Sequence, residues 1–271
     1  MEARPLAGGT DLLIALRRES SSLPALHLID LSRLPDLATI AGASPGGVTI
    51  GARATHAALA ADATVRSAAP LLATAAAAVG SPQIRNLGTL GGNLCTAAPC
   101  ADTLPPLLAL EAILEVQATS GQRRIPVQDL VQGPYETSLR PDELLIRISC
   151  PALPPCSGSA FIKLGRRRAL SISRGSLAVV LTADDAGRLR RVRLAAGSVL
   201  ATPCRFEAVE QQLLGATLQE RTIAGAAELF AQEMVRRGGR RWSTPYKEAA
   251  LPALVRRALR AAWRRMAPDG D

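Results

Sequence analysis

Apolar and polar positions along the chain change period several times, and the changes mark elements. Leu6-Ala7-Gly8-Gly9-Thr10-Asp11-Leu12-Leu13 reads as the end of a strand, a tight glycine turn and the start of a helix. Residues 25–31 (ALHLIDL) read as a buried strand, and Gly46-Gly47 as the turn before a strand at Val48-Thr49-Ile50. Thr55 is placed to cap a helix over residues 56–61, and Pro70 opens an Ala-rich helix over residues 70–79. Residues 81–102 then break the pattern: they are punctuated by glycine and poor in helical period. Residues 104–110 are apolar on every side and predict a buried helix. Residues 112–118 and 123–127 predict a hairpin around Ser120-Gly121, and residues 143–149 another strand. Pro151, Pro154 and Pro155 with Cys156, Ser157 and Gly158 read as a linker. Beyond it lie a strand at 160–164 and a hairpin of 176–183 and 189–195 around Asp184-Asp185-Ala186-Gly187. Helices follow at 203–214, 222–237 and 246–265. The fold class is α+β in two domains.

Composition sharpens this division. The chain has 271 residues, 48% of them hydrophobic, which is ample for a core and argues against disorder. Its net charge of +9 is unevenly placed: residues 1–157 hold 11 basic and 13 acidic side chains, residues 158–271 hold 21 and 10. Thirty of the 32 basic residues are Arg; only Lys163 and Lys247 are Lys. No apolar run is long enough to span a bilayer and the N-terminus lacks a signal-peptide core, so a cytoplasmic location is expected. Five Cys without a regular framework fit a reducing compartment. With His27 and His56 as its only histidines the chain offers no His-rich metal site.

Two glycine-rich segments are candidates for chemistry. In Ala7-Gly8-Gly9-Thr10-Asp11, adjacent glycines permit positive φ and let successive N–H groups converge on an anion. An ordinary strand–turn–helix corner has the same composition. In Arg85-Asn86-Leu87-Gly88-Thr89-Leu90-Gly91-Gly92-Asn93-Leu94, small residues, a hydroxyl and an amide suit close backbone approach to a pyrophosphate. The segment is neither a Walker loop nor a G-x-G-x-x-G fingerprint. No general acid–base pair, Ser/His/Asp set or nucleophilic Cys can be assembled, so no catalytic side chain is assigned.

Together the two segments resemble the flavin loops of the FAD-binding subunits of molybdenum hydroxylases, the group of xanthine dehydrogenase and carbon monoxide dehydrogenase. Ala7-Gly8-Gly9-Thr10-Asp11-Leu12-Leu13 is similar to the first loop. Arg85-Asn86-x-Gly88-Thr89-x-Gly91-Gly92-Asn93-x-x-x-Ala97-x-Pro99-x-Ala101-Asp102 is similar to the second. Leu107-Leu108-Ala109-Leu110, Gly133 with Thr137, and Leu139-x-Pro141-Asp142-Glu143-Leu144 follow in the family's order. Lys163-Leu164-Gly165-Arg166-Arg167, Ala169-Leu170-x-Ile172-Ser173-Arg174, Pro203 with Arg205, and Tyr246-Lys247 resemble its C-terminal domain.

The resemblance implies a two-lobed, PCMH-type FAD-binding domain over residues 1–153, with lobes of about 1–33 and 34–153. A small sheet-plus-helices domain would follow over residues 158–266. It implies that Leu6, Ala7, Gly8, Gly9, Thr10, Asp11 and Leu12 meet the FAD pyrophosphate, with Thr89, Gly91, Gly92 and Asn93 approaching from the other lobe. Thr96 and Asp102 would lie near the ADP part, Leu144 or Leu145 would cover an aromatic ring, and Lys163 would stand beside the isoalloxazine. There a fixed ammonium favours the negative charge of a reduced flavin. The implied activity is electron transfer: a small partner with two [2Fe–2S] clusters delivers electrons, and FAD passes them to an acceptor such as NAD⁺. A large partner with the molybdenum cofactor oxidises the substrate. Segment 163–174 looks most like the xanthine dehydrogenase branch, which implies a purine substrate for the complex.

The chain departs from the pattern in one place. Family members usually begin with a further strand and helix before the first glycine loop, which here starts at Leu6; the missing part would leave a sheet edge unpaired, which predicts a true start upstream, coverage of that edge by another subunit, or weakened flavin binding. Some relatives carry an iron–sulfur insertion where Cys95 and Cys100 stand, but here Cys100 runs straight into Asp102, and these cysteines are expected to be buried or inert. Arg166-Arg167-Arg168, Arg190-Arg191, Arg236-Arg237, Arg240-Arg241, Arg256-Arg257 and Arg264-Arg265 are scattered and lack aromatic interleaving. They are expected to be solvated faces and a docking surface for an acidic partner subunit, with no nucleic acid bound. Two other readings are a non-catalytic scaffold or nucleic-acid-binding protein that retains the fold, and a standalone flavin oxidase.

Overall fold

The computed structural model describes residues 2–19, 26–167 and 170–266; Met1, Ala25, Arg168 and Ala169 of the sequence reading lie outside them. The architecture is α+β. Strand β1 (Glu2–Leu6) runs through the first glycine turn into helix α1 (Leu12–Glu19), and β2 (Leu26–Asp30) then pairs with β1 in parallel. The sequence predicts a buried strand here, and the structure corrects that: Leu26 is half-buried and the other four residues of β2 are exposed, with Ile29 at 54%. A two-stranded ribbon has no second layer to cover its outer face, however apolar its sequence.

The next strands are β3 (Ile40–Ala43) and β4 (Gly47–Gly51). Six short helices follow: α2 (His56–Ala61), α3 (Ala63–Ala68), α4 (Pro70–Ala77), α5 (Pro82–Leu87), α6 (Leu90–Thr96) and α7 (Leu104–Ala109). The chain returns through β5 (Ile113–Ala118), β6 (Gly121–Pro126), β7 (Val131–Gly133), β8 (Glu136–Thr137) and β9 (Leu144–Cys150). Five of these strands form an antiparallel sheet in the order β3-β4-β9-β5-β6. Its inner face (Val48, Ile50, Leu114, Ile148) packs on Leu59, Leu71, Leu72 and Leu107 of the helices, all at 0% exposure.

Helices α5 and α6 occupy the stretch without helical period. At six and seven residues they are too short to display one, and caps define them instead. The Ser81 hydroxyl accepts from the Ile84 N–H with Pro82 at the first turn, and the Thr89 hydroxyl accepts from the Gly92 N–H.

Beyond the prolines lie β10 (Ser157–Leu164), β11 (Gly175–Ala183), β12 (Leu189–Gly197) and β13 (Cys204–Arg205), an antiparallel sheet in sequence order. Helices α8 (Glu207–Leu213), α9 (Glu220–Gly238) and α10 (Thr244–Arg264) complete the chain. Helix α8 begins later than the pattern predicts because Cys204 and Arg205 first pair with β12. Strand β11 is buried at eight of nine positions because both faces are covered. Ala178 and Val180 join the first core, whereas Leu177, Val179 and Leu181 face a second core under α8, α9 and α10, where Phe206 stacks on Phe230. Glu111, just past α7, fastens the junction by ion pairs with Arg191, Arg193 (2.7 Å) and Arg205 (3.2 Å). No helix among the described residues is long and apolar enough to cross a membrane.

Candidate cofactor groove

The two glycine loops meet. A Cβ on Gly8 would overlap the Leu87 carbonyl oxygen and stand 2.9 Å from Gly88 Cα, so only glycine lets the first loop lie on the junction of α5 and α6. Gly9 holds φ at +67°, the left-handed turn that redirects the chain into α1. Gly91 lies against Ala52, whose Cβ and carbonyl oxygen would both be 2.7 Å from an added Cβ. Thr55 and Thr89 bridge in antiparallel fashion; the His56 N–H donates to the Gly88 carbonyl, and the Leu90 N–H to the Ala54 carbonyl. Helices α2 and α6 therefore start side by side, each capped by a threonine.

Between the loops runs a groove of about 1060 Å³, counting its open mouth. Of the sixteen residues assigned to the cofactor from sequence, Leu6, Ala7, Gly8, Gly9, Thr10, Asp11, Leu12, Thr89, Gly91, Gly92, Asn93, Thr96, Leu144 and Leu145 line it. Asp102 and Lys163 do not; they pair with each other. Lys163 Nζ donates to Asp102 Oδ2 at 2.6 Å and to the Ala78 carbonyl at 2.9 Å, and the Ser173 hydroxyl donates to Asp102 Oδ1 at 2.5 Å. Burial raises the Asp102 carboxyl above its ordinary value despite the neighbouring Lys163 and Ser173. The four groups tie the Ala78–Asp102 side of the first core to β10 and the segment before β11.

The loops offer different groups. Among the described residues, no backbone N–H of residues 7–11 donates to a protein acceptor, so the first loop presents open donors. In the second loop the N–H groups of Leu90, Gly91, Gly92 and Asn93 are already used by Ala54, Ala52 and Thr89. That loop contributes close approach and the Asn93 amide, whose Oδ1 accepts from the Thr103 hydroxyl at 2.6 Å, turning its NH₂ end away from Thr103. Leu144, Leu145, Val79 and Ile84 supply apolar wall. Open backbone donors beside apolar side chains fit a dinucleotide with an aromatic ring system.

Sequence reading missed His56, Arg53, Val79 and Ile84 on the wall. His56 could have been found from its place immediately after the Thr55 cap, level with Gly88. Its ring is 2% exposed, and burial, with a smaller push from Arg85, lowers the imidazole to about 4. The cysteine expectation is corrected in its burial and agrees in its inertness. Cys95 is exposed on the groove wall and Cys100 is half-buried, because α6 turns its Cys95 face outward while Leu90 and Leu94 pack inward, but desolvation pushes the Cys95 thiol up to about 12 and the Cys100 thiol above its ordinary value. Among the described residues no group of His, Cys, Asp and Glu is arranged to hold a metal ion.

Comparison with known proteins agrees with this geometry. Residues 1–153 match the family described as the FAD binding domain in molybdopterin dehydrogenase, and residues 160–262 match the CO dehydrogenase flavoprotein C-terminal domain. The 6-hydroxypseudooxynicotine dehydrogenase complex subunit alpha of Paenarthrobacter nicotinovorans is 34% identical, covering 100% of this chain and 90% of that protein. The xanthine dehydrogenase FAD-binding subunit of Escherichia coli O157:H7 is 32% identical, covering 96% and 89%. The structure of carbon monoxide dehydrogenase from Hydrogenophaga pseudoflava superposes with a TM-score of 0.88 at 33% identity, covering 98% of this chain and 91% of that one. The chain belongs to the FAD-binding medium subunits of the xanthine dehydrogenase and carbon monoxide dehydrogenase family of molybdenum hydroxylases, and FAD is its cofactor.

Proposed function

We propose that this chain relays electrons within a molybdenum hydroxylase complex, receiving them from the [2Fe–2S] clusters of a small partner subunit and delivering them to an acceptor such as NAD⁺. A large partner subunit with the molybdenum cofactor carries out substrate oxidation. The observation that carries this reading is the groove itself: open backbone donors and an apolar wall between the two glycine loops. Bound there, the flavin supplies exchange between one-electron and two-electron carriers. The chain's own residues bind and orient it. The open N–H groups of residues 7–11 would hold the diphosphate, the Asn93 amide and the closely packed Gly91-Gly92 backbone would border it from the other loop, and Leu144 and Leu145 would exclude water.

The purine assignment gains no support from the relatives, whose names point to 6-hydroxypseudooxynicotine, xanthine and carbon monoxide at similar identities. Many arginines of the second domain are used internally: Arg191, Arg193 and Arg205 at Glu111, Arg236 at Glu233, Arg240 at Glu248 and Arg260 at Glu220. This supports ordinary solvated faces over a nucleic-acid surface. The test is native purification from the source cell. A yellow complex with larger and smaller subunits, whose flavin is reduced by substrate and reoxidised by NAD⁺, is expected. A chain isolated alone, with flavin that no partner reduces, would overturn the relay.

A further inference from the structure

His56 stands where the two glycine loops close on each other. Its backbone N–H is fixed to the Gly88 carbonyl, and a Cβ on Gly88 would lie 3.2 Å from His56 Cδ2 and 3.5 Å from Thr10 Oγ1. The ring thus shares one small space with a residue of each loop. It lines the groove and is 98% withdrawn from solvent. Its Nδ1 is buried with no hydrogen-bond partner. A histidine kept only for packing would be expected to satisfy that atom or be replaced by an apolar ring.

The unpartnered Nδ1 also fixes the tautomer. A buried N–H without an acceptor costs about 1–3 kcal/mol, so the ring proton resides on Nε2, the outer nitrogen, one bond farther from the backbone. The low basicity of the ring keeps it in this singly protonated form at neutral pH. His56 therefore presents one N–H donor and no charge in the groove that the first loop, with its open N–H groups, also lines.

We propose that His56 is a further ligand of the bound dinucleotide, its Nε2–H donating to an oxygen of the cofactor's diphosphate. The inference rests on the assignment of the groove to FAD and adds a side-chain donor to the backbone donors of the first loop. The donor is uncharged, so it fixes the diphosphate without pairing a buried cation with it.

The test uses the full chain stripped of flavin. With two histidines in the sequence, His27 exposed on β2 and His56 buried, ¹⁵N-histidine labelling gives two ring systems, and His56→Gln identifies the second. On titration with FAD, the His56 Nε2–H resonance should shift and become protected from exchange; riboflavin, which lacks phosphate, should leave it in place. His56→Phe, which keeps a ring but loses the donor, should weaken FAD binding about tenfold, the usual effect of losing one hydrogen bond to a charged group. His56→Gln, whose amide NH₂ takes the place of Nε2, should stay within about threefold of wild type. Wild-type affinity in His56→Phe would overturn the proposal. So would equal weakening in both variants with an unshifted His56 resonance in the wild-type chain, since that pattern reports packing alone. Failure of the wild-type chain to take up FAD would overturn the groove assignment itself and is read separately, from the flavin spectrum.

Discussion

Substituting Gly8 by alanine isolates the contact that closes the groove. Gly8 has no left-handed φ, so its replacement is a matter of space and not of backbone preference. The new Cβ would overlap the Leu87 carbonyl oxygen and lie 2.7 Å from the carbonyl carbon and 2.9 Å from Gly88 Cα. All three are backbone atoms, which no rotamer change can move aside. Ordinary carbon contacts begin near 3.5 Å, so the first loop must lift from the α5–α6 junction by at least about 0.8 Å. The open N–H groups of residues 7–11 move with it, away from Asn93 across the groove. A misplacement of about an ångström in a positioned polar site weakens it by roughly a hundredfold, which corresponds to about 2.7 kcal/mol. Gly8→Ala should therefore purify with little flavin and show an FAD dissociation constant raised about a hundredfold by quenching of flavin fluorescence. Circular dichroism should report an intact fold. Gly215→Ala is the control: Gly215 sits at φ +77° with nothing within 4 Å, so the change strains a turn by about 1 kcal/mol and leaves the groove untouched. If Gly8→Ala retained FAD as Gly215→Ala does, the loop contact would not position the cofactor, and the groove assignment built on it would fail.

Three further outcomes follow from the ion pairs and the junction. The Arg123 guanidinium, with the Arg140 N–H, holds Glu143 near 2, so Glu143 contributes stability above its unfolded value of 4.5 that is lost as pH falls through about 2. Arg123→Met should therefore lower the urea midpoint at pH 7, with the difference from wild type shrinking as pH falls toward and below 2. Lys163→Met would strand the buried Asp102 carboxylate at a cost of about 3–5 kcal/mol. Because burial already raises Asp102, the loss should grow as pH rises through its folded value, and adding Asp102→Asn should recover most of it at pH 8. Gly158→Ala would place a Cβ on the Ala262 carbonyl oxygen and 2.7 Å from the Met266 N–H, loosening the end of α10 by about 1–3 kcal/mol; a lower midpoint in thermal unfolding with unchanged flavin content checks it.

What the sequence displayed were features written locally. The Thr55 cap, the apolar run at 104–110 and the Gly8-Gly9 turn are each set by a few consecutive residues, and each appears in the structure where the pattern places it. The misses have causes that cross the chain. Residues 25–31 look buried because apolarity does not report whether a second layer exists, and the two-stranded ribbon of β1 and β2 supplies none. Helices α5 and α6 escape a periodicity test because six or seven residues contain fewer than two turns, and the Ser81 and Thr89 caps that define them emerge only in the structure. The pairing of Lys163 with Asp102 joins positions 61 residues apart, and Glu111 reaches Arg191, Arg193 and Arg205 over 80 residues or more.

That difference also explains how charge is arranged. The first loop offers open backbone N–H groups, which follow from a glycine turn and carry no net charge, so the groove can be built from a half of the chain that is slightly acidic. The arginine excess begins beyond the prolines; Arg191, Arg193 and Arg205 are drawn inward at Glu111, whereas Arg190, Arg236 and Arg240 pair with carboxylates of their own domain and stay exposed. Glu111 and Asp102 are thus two acidic anchors from the first domain, each holding cations of the second, and they lie on either side of α7 in sequence. With α7 buried at all six positions between them, the second sheet is fixed against the first core by a helix that cannot slide. The glycine loops on the groove can therefore pack backbone against backbone, Gly8 on Leu87 and Gly91 on Ala52, in front of a junction held by buried side chains and ion pairs.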